Sequence, residues 1–430
     1  MLKVIRAESR EFGIFFKQLR ERGQVFDAEL TKMVADVVED VRRRGDEALF
    51  AYTARWDNHP VNAATVEVSP EEWREAAGRV DAETIALIRL AAARIGKFHE
   101  RQRMESWSVS DEDGVELGQM VIPLERVGIY APGGLASYPS TVLMTAIPAR
   151  IAGVREIILT TPCPGGALAP LIAAAAEIAG VTRIFRIGGA QAVAALAYGT
   201  ESVPRVDKIV GPGNKYVAAA KKMVFGQAAI DMIAGPSEVL VIADKTGHAA
   251  WAAADMLAQA EHDENAGAVL MTPDEVFADD VADEVERQLN NLERRAIASR
   301  SLERYGAAII TRDLDEAIEL ANQFAPEHLE LMVDNPQAYL PRIRNAGAVF
   351  MGRSTPEALG DYMAGPNHVL PTGGTARFAS PLGVYDFYKR TSVLAFSGEA
   401  LTRYAEPTAR FADLEGLFGH ARSVRLRLKS

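Results

Sequence analysis

From residue 127 onward, short β-branched apolar runs alternate with helical stretches, and this alternation constrains the fold more than any other feature. Strand-like runs fall at 127–131, 156–160, 182–187, 208–210, 239–243, 268–272, 307–311, 328–333 and 348–351. Short apolar runs bounded by turn residues suit parallel strands buried on both faces. Parallel neighbours need long crossovers, and the intervening helices supply them, so the fold is α/β with right-handed connections. Nine strands are many for one sheet, and 430 residues exceed what one hydrophobic core usually supports. Two parallel sheets are therefore expected.

The flanks read differently. Residues 1–25 are charged and weakly patterned, and a short helix that packs elsewhere is expected there. Two helices joined at Gly45 follow, between 29 and 56. Ser69-Pro70-Glu71-Glu72 combines an N-cap, a proline at the first helical position and an acidic first turn, so a helix starts there. A longer helix is expected over 81–104, and a hairpin over 106–120 around Asp113-Gly114. Beyond about residue 380 the alternation stops, and a charged, mostly helical tail is expected.

Composition excludes several function classes. The formal net charge of −11 argues against a nucleic-acid partner, because phosphate contacts need a basic surface. No run approaches the roughly 18 apolar residues of a membrane span, and the N-terminus has no signal-peptide apolar core, so a cytoplasmic protein is expected. The single cysteine, Cys163, excludes an intrachain disulfide and a thiolate-rich zinc knuckle.

Three glycine-rich turns follow strands: Tyr130-Ala131-Pro132-Gly133-Gly134, Ile187-Gly188-Gly189-Ala190-Gln191 and Val210-Gly211-Pro212-Gly213-Asn214-Lys215. Glycines between a parallel strand and a helix let a ligand approach backbone amides at the positive end of the helix dipole. None is a G-x-G-x-x-G fingerprint, so the pattern alone leaves nucleotide binding and plain packing turns both open. The stretch Gly235-Pro236-Ser237-Glu238 leads into the 239–243 run and then an Ala-rich helix over 249–262. Gln259 and His262 are three apart near its end, so they share a helical face and can converge on one ion.

Histidine and carboxylate recur together further on, as Glu327-His328, as Asp361 with His368, and as Glu415 with His420. With one cysteine in the chain, a zinc site would use imidazole, carboxylate and amide oxygen and leave a position for substrate. A free imidazole nearby moves protons near neutral pH. There is no H-E-x-x-H, so the zincin protease template fails.

These motifs, in this order, resemble the histidinol dehydrogenase family over nearly the whole chain. The resemblance rests on the glycine-rich turns above, Ala234-Gly235-Pro236-Ser237-Glu238, Gln259-Ala260-Glu261-His262 and Ala325-Pro326-Glu327-His328-Leu329. Gly360-Asp361-Tyr362 and Asn367-His368-Val369-Leu370-Pro371-Thr372 extend it. It implies a zinc-dependent homodimer that oxidises L-histidinol through L-histidinaldehyde to L-histidine with two NAD, the last steps of histidine biosynthesis. It further implies zinc ligands at Gln259, His262, Asp361 and His420, one ion per subunit, and a catalytic pair at Glu327 and His328. NAD contacts would be Tyr130, Gln191 and Asn214. Substrate contacts would be Ser237, His328, His368 and Glu415, together with the metal ligands.

The implied fold has two incomplete Rossmann-like domains with small terminal helical segments exchanged in the dimer. The expected division is 1–25 as an N-terminal helical segment, 26–129 plus 239–380 as a discontinuous first domain, 130–238 as the NAD-binding second domain, and 381–430 as a tail that completes the partner's site. A relative of the same fold acting on another small polyol, such as a sulfonated propanediol, would keep the zinc and NAD machinery. Glu415 and His368 suit an amino-imidazole substrate, whereas a sulfonate calls for extra Arg or Lys.

Overall fold

The computed structural model describes residues 2–22, 27–133 and 138–428. Gly134 of the first glycine-rich turn, and the junction of the first two expected segments at 25–26, lie outside the described residues. All nine expected strands form. They fall into two parallel sheets. The larger has six strands in the order Lys3–Arg6, Gly306–Ile310, Gly267–Thr272, Glu238–Ala243, His328–Met332, Ala348–Met351. The smaller has five, in the order Arg183–Phe185, Glu156–Thr160, Arg126–Tyr130, Lys208–Val210, Ala229–Ile230. In each the chain winds outward over two strands and then reverses to the other side of the starting strand, which is the doubly wound, Rossmann-like pattern.

Strand Glu238–Ala243 shows why the larger sheet must be central. All six residues are buried. Val239 and Val241 face helix Ala249–Ala260, packing with Met256 and Leu257, while Leu240 and Ile242 face Phe12, Phe16 and Phe324. A period of two thus buries both faces of the strand. Phe12, Phe15, Phe16 and Leu19 come from helix Arg10–Glu21, whose N-cap Ser9 accepts a hydrogen bond from the Phe12 amide at 3.1 Å.

Three expectations about the flanks need correction. The first 25 residues are not only a helical segment, because Lys3–Arg6 forms the edge strand of the larger sheet, parallel to Gly306–Ile310. The tail is not only helical either. Tyr388–Phe396 pairs antiparallel with Val115–Pro123, which pairs in turn with Trp107–Ser110, so the expected hairpin gains a third strand from the tail. Third, the helices between 28 and 99 do not join the sheet of 238–351. Leu30, Val34, Val38 and Val41 of helix Ala28–Arg44 pack on Ile158, Phe185 and Val193, and Ile88 and Ile95 of helix Ala82–His99 pack on Ile129 and Ile147. An apolar helical stripe needs an uncovered sheet face, and helices on both sides already cover the larger sheet. The smaller sheet therefore takes them.

Among the described residues, no helix is long and apolar enough to cross a membrane. Cys163 is buried in the core of the smaller sheet, and burial pushes its thiol up to about 12. Native protein at pH 8 should react with a chromogenic disulfide no faster than it unfolds, while denaturant should release one titratable thiol at once. Rapid labelling of the native protein would contradict this burial.

Candidate active site

The two sheets present opposite edges to one cleft. The smaller sheet contributes the carboxyl ends of its strands, with their glycine-rich turns. The larger contributes its amino edge, where Ser237 precedes Glu238–Ala243 and Glu327 precedes His328–Met332. Helix Ala249–Ala260 follows Glu238–Ala243 and runs back against the larger sheet, so its last turn brings Gln259, and then His262, to that same edge. A cavity of about 600 Å³ lies between them, lined by Asn214, Ser237, Gln259, His262, Glu327, His328, Asp361 and His368. Residues scattered over more than a hundred positions thus line one cavity.

Glu327 and His328 are fixed by parallel pairing with the neighbouring strand, in which His328 stands opposite Val239. The Glu238 amide donates to Oε2 of Glu327 at 3.1 Å, and the Glu327 amide donates to Oε1 of Glu238 at 3.3 Å. Nδ1 of His328 lies 3.1 Å from the Glu238 carbonyl. A carbonyl only accepts, so Nδ1 carries the proton and Nε2 keeps its lone pair. Burial pushes the His328 imidazole down to about 4, against the pull of Asp361. It is neutral at pH 7, a base rather than a cation. Burial, reinforced by Glu238, holds the Glu327 carboxyl well above the usual carboxylate range.

The metal-capable groups lie across the cavity. Gln259 is fully buried; its Nε2 is 3.3 Å from Nδ1 of His262, and its Oε1 has no hydrogen-bond partner among the described residues. A buried amide oxygen left unpaired costs roughly 1–3 kcal/mol, so a cation at that oxygen would satisfy it. Asp361 sits in the short helix Glu357–Tyr362, and its carbonyl is 3.2 Å from Nδ1 of His368. Among the described residues no group of three or more His, Cys, Asp or Glu is gathered as a metal cluster. One chain offers His262, Asp361 and the Gln259 amide, a set of nitrogen and oxygen donors that fits a divalent ion.

On the facing edge, Asn214 caps helix Lys215–Val224, its Oδ1 accepting from the Tyr216 and Val217 amides at 3.0 and 3.2 Å. The turn before it can only be glycine: Gly211 has φ +109°, and a Cβ there would stand 2.2 Å from the Tyr130 carbonyl oxygen. The Asp231 carboxylate, its side chain 1% exposed, accepts from the Gly211 amide at 2.7 Å, and Lys221 donates to the Gly211 carbonyl at 2.9 Å, so the turn is braced from below. Tyr130 and Gln191 lie along the same edge outside the cavity lining. The Tyr130 hydroxyl accepts from the Gly189 amide at 3.1 Å, and neither amide atom of buried Gln191 has a partner among the described residues.

Glu415 and His420 are elsewhere. They line a separate groove of the C-terminal helices Gly398–Leu414 and Phe418–Arg427, so a single chain does not bring them to the cavity. The sequence reading also missed Glu357, which lines the cavity with Oε1 3.6 Å from Nδ1 of His328 and Oε2 unpartnered. It stands in no histidine motif. Its only signal is its place four residues before Asp361, one helical turn away.

The sequence model of the histidinol dehydrogenase family matches residues 20–428. A histidinol dehydrogenase of Syntrophotalea carbinolica is 56% identical over 429 residues, covering 100% of both chains. One from Geobacter metallireducens is also 56% identical, over 100% of this chain and 98% of its own. The solved structure of the Elizabethkingia anophelis histidinol dehydrogenase superposes with a TM-score of 0.93 at 37% identity, covering 100% of this chain and 98% of that one. The fold is thus shared with a solved histidinol dehydrogenase, and this chain belongs to the histidinol dehydrogenase family of oxidoreductases.

Proposed function

We propose that this protein carries out the four-electron oxidation of L-histidinol through L-histidinaldehyde to L-histidine, with two NAD and one zinc ion per subunit. The observation that carries the reading is the meeting, in one cavity, of the buried Glu327-His328 pair with Gln259, His262 and Asp361. When bound, NAD would accept the hydrides and zinc would fix the substrate's imidazole and amino nitrogens.

Gln259, His262 and Asp361 would hold the metal, and Tyr130, Gln191 and Asn214 the dinucleotide. Ser237 and His368 would orient the substrate. Nε2 of His328 would take the alcohol proton as the aldehyde forms. The Glu327 carboxylate would then take a proton from water as its oxygen adds to the aldehyde, while His328 gives the proton it took to the aldehyde oxygen, so that the gem-diol forms. His328, having released its first proton, would accept the diol's hydroxyl proton in the second oxidation.

The fourth ligand, His420, and the substrate contact Glu415 would come from a second copy of the chain. Their helices carry Phe411, Leu414 and Phe418 at 66, 79 and 69% exposure, an apolar surface that a partner subunit would cover.

Purified enzyme should form two NADH per histidinol consumed; a chelator should abolish this and added zinc should restore it. A chelated, metal-free enzyme with full turnover would rule out the zinc assignment. Glu327→Gln should slow the aldehyde-to-acid step by about 10²–10⁴-fold and the first oxidation far less, whereas His328→Asn should slow both. Equal losses in Glu327→Gln would contradict the division of labour. Inactive His420→Asn and His328→Asn enzymes, dissociated and mixed, should regain activity in hybrid dimers if the tail crosses. No recovery in hybrids shown to form would mean that each chain uses its own tail.

A further inference from the structure

One buried ion pair outside the groups given roles above reaches the site from the far end of the chain. Arg22 follows helix Arg10–Glu21, its side chain is 2% exposed, and its guanidinium pairs with the fully buried carboxylate of Glu238. The same nitrogen lies 3.3 Å from the Pro236 carbonyl, and the guanidinium carbon stands 5.5 Å from the centre of the Tyr305 ring. Gly267 leaves the space it occupies, because a Cβ there would overlap the guanidinium.

Glu238 is more than a counter-ion. Its Oε1 accepts from the amides of Glu327 and Gly373 at 3.3 and 3.1 Å, while its own amide donates to the Glu327 carboxylate at 3.1 Å. The two glutamates therefore exchange carboxylate-to-amide bonds across adjacent strands. We propose that Arg22 and Glu238 are positioning residues for the Glu327 carboxylate, holding it where it activates water for the second oxidation. This rests on the reading of Glu327 given above.

Two carboxylates buried side by side repel each other and would be driven to share a proton. Arg22 offsets part of the charge of Glu238, so that the two carboxylates can stand side by side in this exchange of bonds. The consequence is selective. His328 is held by the Glu238 backbone carbonyl, which any side chain at 238 retains, so the first oxidation should not need the ion pair. A merely structural ion pair would support both steps alike.

The test measures the two steps separately, in the zinc-loaded enzyme with NAD. The NADH burst from histidinol reports the first step, and turnover of supplied histidinaldehyde reports the second. Glu238→Asp and Arg22→Met should each slow histidinaldehyde oxidation by at least about tenfold while the burst rate and the histidinol KM change less than about threefold. Arg22→Lys, which keeps the charge, should recover most of that loss. Because one unpaired buried charge can unfold the chain, the double variant Arg22→Met/Glu238→Gln removes both charges and should show the same selective loss in folded protein. Equal loss of both steps in step with a lowered melting temperature would overturn the proposal, as would an unimpaired double variant. Glu327→Gln is the control. If it spares the aldehyde step, the functional reading of Glu327 fails; if it slows that step and the Arg22 and Glu238 variants do not, only the positioning role fails.

Discussion

Everything at the site depends on one piece of strand pairing, the parallel register that sets His328 opposite Val239. It places Ser237-Glu238 against Glu327-His328 at the amino edge of the larger sheet. A slip of one residue would turn His328 to the other face of the strand and break the paired amide bonds between the two glutamates. Both strands are buried on each face by helices, which is what makes the slip costly. In open α/β sheets ligands gather outside the carboxyl ends of strands. The smaller sheet follows that habit with its glycine turns. The larger sheet uses the opposite edge, because helix Ala249–Ala260 returns there with its last turn.

The charge distribution around the cavity follows from that placement. Glu238, Glu327, Glu330 and Glu357 are all buried, and burial raises the carboxyls of all four. Glu330 accepts from the Glu357 amide at 2.8 Å and shares a hydrogen bond with Asp255, whose carboxyl is pushed up to about 6, again by burial. So much buried acid is stable only if protonated, hydrogen-bonded or paired with a cation. Arg22 provides the pairing at one end. A divalent ion beside Asp361 would provide it at the other, and would leave His328 as the neutral base between them.

Much of the fold was legible in the sequence, for a definite reason. The strands are short, β-branched and bounded by turns, so period and length identify them, and alternation with helices fixes the sheet type. What failed was long-range. Lys3–Arg6 is too short and charged to read as a strand, and only the free edge at Gly306–Ile310 makes it one. Tyr388–Phe396 is almost wholly exposed, so hydrophobic pattern could not reveal it. The helices of 28–99 show clear apolar stripes that do not say which sheet they cover. The candidate site was legible where chemistry is written into short motifs, as in Glu327-His328 or Gln259 with His262. Arg22 lies 216 residues from the carboxylate it pairs with, and nothing local marks it.

The central claim is that amide, carboxylate and imidazole donors from distant parts of the chain converge on one divalent ion beside His328. X-ray absorption at the zinc edge of the loaded enzyme tests it most directly. The account predicts a first shell of nitrogen and oxygen at about 2.0–2.2 Å, with the scattering of two imidazoles and one imidazole lost in His420→Asn. A shell containing sulfur at about 2.3 Å, or one unchanged by both His262→Asn and His420→Asn, would contradict it.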